Sequence, residues 1–353
     1  MTAMPPTPDE QVIFLRNIQR LLMEGQFTAS YKFALLHAIA DLCVLRGDDS
    51  GAALDLQVKN IGEKFIELYW QQCRPFQVGG QSTGIILQQN TGRQAAVITK
   101  VIQAQGDFGG SLFKLKQTAP DLWQSLKGNV KRVVNEMPLW KLQTVGSERL
   151  DFLYDNLDTT TTTITLKPGV AFCFRAFYGL LRDLIQGAWV RFVQRLNVSN
   201  LGNLTDLGTF LFDQERSSLE TYKHILLDFQ DRKCFYCQND LRSNMEVDHF
   251  IPWSRYPTDL GHNFVLAHAR CNNSKSDYLA AEQHLELWAQ RNQERADELA
   301  ERLRDADLSH DCSASLRIAE WAYEQVEKAS GQVWVNNAVF QHLGAEWREL
   351  LVA

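Results

Sequence analysis

The chain has 353 residues, 45% hydrophobic and 22% charged, enough for two or three domains with ordinary buried cores. A formal net charge of −6 excludes the overall basic footprint of a protein that coats nucleic acid, though not an enzyme that grips a single phosphodiester. Scattered cysteines, an N-terminus (MTAMPPTPDEQ) with no basic start leading into an apolar run, and apolar stretches interrupted by charge predict a cytoplasmic protein with no signal peptide and no membrane span.

Taken in order, residues 9–25 show helical periodicity, with Asp9 available as a cap. A second helix runs from Ser30 to about 46, and His37 on it reads as a packed or surface histidine rather than a ligand. After a brief strand (LDLQV) comes a third helix over 61–72, so 1–76 is expected to be a helical N-terminal domain. The Gly-rich QVGGQSTG that follows also suits a winged helix, but no basic recognition helix stands out, which favours a helical scaffold. Residues 77–215 form a mixed α/β to helical middle region. Its GDFGG is a turn and not a phosphate loop, since no GK[ST] follows. LQTVG, LDFLYD and the threonine run leading into ITL have strand character, and 170–196 reads as one long apolar helix. Arg191 and Arg195 share a face of that helix, where they either track a nucleic-acid backbone or form a solvated scaffold edge.

Residues 216–280 carry the chemistry. Cys234 and Cys237 make a C-x-x-C, and His268 and Cys271 make an H-x-x-C about thirty residues later. Two such knuckles can close four ligands into the tetrahedron that zinc prefers. Between them Asp248–His249 ends a β-rich run (MEVDHFIPW), Asn263 begins a second one (NFVLAH), and Asn272 stands where a helix starts. Asp248 is a hard oxygen ligand suited to Mg²⁺ or Mn²⁺, and His249 has the intrinsic pKa to take a proton from water near neutral pH. Each motif has a bland reading by itself: a strand-end hydrogen bond, two buried thiols, a helix cap. Their shared order and spacing outweigh those readings.

The set of C-x-x-C, D-H-x-x-P, and N-x-V-L followed by C-N-x-x-K resembles the HNH endonuclease family in its zinc-ribbon branch, over roughly 222–280. The resemblance implies a ββα-metal fold, His249 as general base, Asn263 holding that histidine, and Asp248 with Asn272 as ligands of a catalytic Mg²⁺ or Mn²⁺. It also implies a structural Zn²⁺ on Cys234, Cys237, His268 and Cys271, and DNA as the partner, with RNA left open. Two departures stand out: His268 replaces the usual cysteine, and Asn272 stands where many relatives have histidine. Lys275, one helical turn beyond Asn272, is placed to meet a phosphate. Likeness to stand-alone bacterial HNH enzymes suggests restriction or antiviral defence, with a second copy or a defence-system protein as partner. The alternatives are a non-catalytic zinc module that binds DNA or protein, and a nuclease subunit active only in a larger complex.

Residues 281–353 read as a helical C-terminal extension: an acidic helix or helical pair over 278–304, an amphipathic helix over 314–328, and a last helix over 335–350. The expected fold class is therefore mainly α with a small α+β module.

Overall fold

The computed structural model describes residues 4–77, 84–106, 108, 110–155, 160–201, 207–212 and 219–351. Its contacts divide the chain into two units, Met1–Asp213 and Gln214–Ala353. Helices dominate both, and the named sheets are two-stranded antiparallel pairs, so the fold is mainly α with a small α+β module.

The first unit is assembled around the helix Tyr31–Arg46, whose residues from Phe33 to Val44 are all buried. A helix that apolar all round can only sit inside others. The helices Val58–Gln72 and Tyr178–Leu196 supply the rings that pack on it, with Trp189 against Phe33 and Tyr69. Buried amides are paired in series: Trp189 Nε1 donates to Gln89, Gln89 to Gln72, and Gln72 to the Leu211 carbonyl. Such pairing is required, because each unpaired amide would cost about 1–3 kcal/mol.

Several elements depart from the sequence reading. The first helix, Pro8–Glu24, is capped by Thr7 and not Asp9: the Glu10 amide donates to the Thr7 hydroxyl and the Thr7 amide to the Glu10 carboxylate. The apolar run over 170–196 is two helices, Val170–Ala176 and Tyr178–Leu196, parted at Phe177. Strand Thr163–Leu166 pairs with Leu54–Gln57, as the β-branched run suggested, while Thr159 lies outside the described residues. LDFLYD forms no strand among the described residues. The Gly-rich 78–83, considered as a wing, also lies outside them. His37 is packed: its Nε2 meets Gln186 and its Nδ1 faces Asp41.

In the second unit, helix Leu219–Phe229 leads into strands Met245–His249 and Phe264–His268, then helix Ala269–Lys275. The strands pair from Met245 opposite His268 to His249 opposite Phe264. Helices Glu282–Glu294, Ala296–Asp305 and Cys312–Lys328 enclose this ribbon. Trp288 stacks on Phe250 at 4.9 Å and donates to the His262 carbonyl, which Arg291 and Asn292 also reach. Gly261 sits in close approach to helix Ala296–Asp305, since a Cβ there would overlap the Leu303 side chain, which would have to shift.

The helix expected over 335–350 is largely absent. Residues Gln332–Asn336 and Val339–His342 form a hairpin, and helix resumes only at Trp347–Leu351. The run QVWVN is rich in the β-branched and aromatic residues that strands favour, and Asn337 adopts the left-handed φ of 41° that a tight turn needs.

Candidate active site and zinc clip

The first knuckle is a tight turn whose local hydrogen bonds aim both thiols inward. The Cys234 amide donates to the Asn239 carbonyl, the Gln238 amide donates to the Cys234 carbonyl, and Gln238 takes a left-handed φ of 57°. The Gln230 side chain pairs with both backbone groups of Leu266, docking the knuckle on the second strand. His268 closes that strand and Cys271 lies one turn into the next helix. The ligand atoms of Cys234, Cys237, His268 and Cys271 all lie within 4.8 Å of one another. Cys237 Sγ is 3.4 Å from His268 Nδ1, close to the edge of about 3.5 Å that a tetrahedral zinc site requires.

The donor chemistry fits Zn²⁺ as well. His268 Nε2 lies 3.2 Å from the Asp240 carbonyl, which can only accept, so the ring proton is on Nε2 and the Nδ1 lone pair faces the cluster. Burial raises the Cys237 thiol, but hydrogen bonds from the Asn239 backbone, Cys234, His268 and Cys271 outweigh it and bring the thiol down to about 6. Burial and the neighbouring sulfurs Cys234 and Cys237 push Cys271 up to about 12. Three thiols crowded in this way repel one another as thiolates, and a dication removes that cost. His262, another histidine of the module, is elsewhere: its Nε2 donates to the Ala296 carbonyl.

At the opposite end of the ribbon a cleft of about 250 Å³ is lined by Asp248, His249, Trp253, Asn272, Asn273 and Asp277, with Pro252 and Ser276. Asp248, on the strand, is 7% exposed. Tyr236 donates to its Oδ2 at 2.5 Å, and the Lys275 ammonium lies 3.1 Å from the same oxygen. Asn272 donates through Nδ2 to Glu246, and its amide oxygen has no hydrogen bond among the described residues. One carboxylate and one free amide oxygen on a shared cleft are hard donors of the kind Mg²⁺ and Mn²⁺ accept.

His249 Nε2 lies 2.8 Å from Asp259 Oδ1, a contact the motif reading did not contain. Asp259 sits ten residues downstream in a loop, and no spacing rule marks it. Asn263 is placed differently from its expected role. Its side chain bonds both the amide and the carbonyl of Ile251, and its carbonyl accepts from the Phe250 amide. It therefore fixes the backbone just beyond His249 and not the imidazole.

Lys275 is corrected outright as a phosphate contact. It is 0% exposed, and its ammonium is committed to Asp248 and, at 3.1 Å, to the His249 carbonyl. A buried ammonium must be paired, and Asp248 is the acid within reach. Arg191 and Arg195, in the other unit, are exposed and have no ion pair among the described residues, whereas Arg175 is buried on Asp49 and three backbone carbonyls.

The C-terminal extension also contributes to the site. Trp334 of its hairpin packs edge-on to Tyr236 at 5.1 Å and stacks on His284, and Trp334 Nε1 donates to Ser274 on the site helix. Tyr236, thus braced, presents its hydroxyl to Asp248.

Residues 234–281 match the HNH endonuclease family. Residues 12–210 match a family described as a domain of unknown function (DUF8808). No curated protein and no solved structure matches the chain. Among the described residues, no helix is long and apolar enough to cross a membrane.

Proposed function

We propose that this chain, which belongs to the DUF8808 family and carries an HNH endonuclease module, is a metal-dependent DNA endonuclease. What supports the reading is the cleft on which the acid Asp248, the histidine His249 and the free amide oxygen of Asn272 converge. In this reading Asp248 and Asn272 hold a divalent ion, Mg²⁺ or Mn²⁺. When bound, the ion neutralises charge on the phosphate and on the departing oxygen. His249 takes the proton from water as the water oxygen bonds to phosphorus and the bond to the leaving oxygen breaks. Lys275 and Tyr236 hold Asp248 in register with the cleft. Asn263 fixes the loop after His249. Zinc on Cys234, Cys237, His268 and Cys271 is structural, since four protein ligands leave no position open for substrate. A role in restriction or antiviral defence follows only by analogy with stand-alone HNH enzymes.

The buried Lys275–Asp248 pair favours a second reading, a zinc module that binds without cutting, because Asp248 already has a cation beside it. One assay separates the two. Purified chain with Mn²⁺ or Mg²⁺ is expected to cut plasmid DNA, and EDTA and His249→Ala are each expected to stop it. Intact plasmid after incubation of the zinc-loaded wild type with either ion sinks the nuclease reading.

A further inference from the structure

We propose that Asp259 is the positioning residue of His249, selecting which imidazole nitrogen meets the water; the inference rests on the nuclease reading above. The Asp259 carboxylate can only accept, so at 2.8 Å it holds the ring proton on Nε2 and leaves the Nδ1 lone pair free. Asp259 is 6% exposed, so little water competes for that bond. The ring is set by packing too: Phe264, the cross-strand partner of His249, meets it edge-on at 4.6 Å, and Trp253 meets it at 5.3 Å. Asn263, the residue the motif assigns to this duty, is already committed to Ile251 and Phe250.

The step balances without a further reactant. The proton leaves water for Nδ1, the water oxygen bonds to phosphorus, and the bond from phosphorus to the leaving oxygen breaks. Asp259 keeps its electrons and accepts a charge-assisted hydrogen bond from the imidazolium that forms. An amide in its place can turn its NH₂ toward Nε2. That forces the proton to Nδ1 and removes the lone pair the water needs.

The test uses the full zinc-loaded chain and an oligonucleotide duplex with Mn²⁺. Asp259→Asn is expected to lower kcat by about 10²-fold, with KM and the Mn²⁺ midpoint within about twofold of wild type, and zinc content and melting unchanged. Asp259→Glu, which keeps the acceptor, should retain more activity than Asp259→Asn. Nitrogen-15 spectra of wild-type protein without Mn²⁺ should show His249 protonated at Nε2. Wild-type kcat in Asp259→Asn overturns the inference, and so does a loss confined to KM, or an Nδ1-protonated His249 in wild type. The NMR arm does not depend on how the variant folds. A wild-type chain that cuts nothing sinks the nuclease reading itself, whereas a cutting wild type matched by Asp259→Asn sinks this inference alone.

Discussion

The two ends of one short ribbon hold opposite kinds of site. Where Met245 pairs with His268, four soft or borderline ligands close on one another; where His249 pairs with Phe264, hard oxygens and an imidazole open onto a cleft. Four residue steps, about 13 Å of strand, separate them. The closed end has the composition of a fastener, and the open end spends its polar groups facing a volume that the protein leaves unfilled. The contrast teaches that in so small a module a closed clip and an open cleft can occupy separate ends, with the helix Ala269–Lys275 reaching both: Cys271 near its start and Lys275 at its end.

That division can be broken from either side. The largest effect is expected at the clip. Cys237→Ser should release zinc and destabilise the second unit by roughly 5 kcal/mol, since metal binding is folding free energy here. Elemental analysis and a thermal melt check it. His268→Cys should keep the metal and His268→Ala should lose it.

Next in size is Lys275→Met, which leaves the buried Asp248 carboxylate without its cation, the Tyr236 hydrogen bond remaining, at a cost of about 3–5 kcal/mol. Denaturant titration should show that loss with zinc still bound. His249→Ala should weigh the other way: cleavage falls by about 10²–10⁴-fold, while loss of the hydrogen bond to Asp259 costs only about 1–3 kcal/mol of stability, with zinc still bound. If instead the melt collapses and zinc leaves, the two ends are not separate.

Acid offers a finer probe. Burial pushes His262 down to about 4, with Arg291 and His310 adding to it against the Ala296 carbonyl. Between about pH 6.5 and 4 the unfolded chain therefore binds a proton that the folded chain refuses. Stability should fall as pH drops through that window, by at most about 1.4 kcal/mol per pH unit from this group. His262→Gln should flatten that slope in pH-dependent melts without changing zinc content. The smallest effect concerns the first unit. Replacing Arg191 and Arg195 with glutamine should lower the salt slope of DNA binding by about two phosphate contacts, with catalysis on saturating DNA intact. An unchanged slope makes the pair a solvated scaffold edge.

Legibility followed the range of the interactions. The helices of both units repeat their apolar side chains every three to four residues, a signal that local sequence carries. The hairpin over 332–342 is hard to read locally because its strands are only five and four residues long and their apolar residues keep neither period cleanly, so packing of Trp334 against Tyr236 and His284 decides the matter. The break at Phe177 is hidden because both helices flanking it are apolar enough to read as one.

By itself the sequence determined which residue types gather at each end of the ribbon, Cys234, Cys237, His268 and Cys271 at one and Asp248 and His249 at the other, because spacing of two or three residues within a knuckle or along a strand limits which side chains can converge. Only tertiary structure decided what surrounds them. Lys275 reads as an exposed cation one turn past Asn272, yet enclosure by the C-terminal elements takes its ammonium from water, and pairing with Asp248 is then the alternative to a bare buried charge. Asp259 reaches His249 through a loop whose path is set by the helices packed behind it, not by periodicity. Local spacing fixes which groups meet; burial fixes their partners, and burial depends on chain segments up to about a hundred residues away.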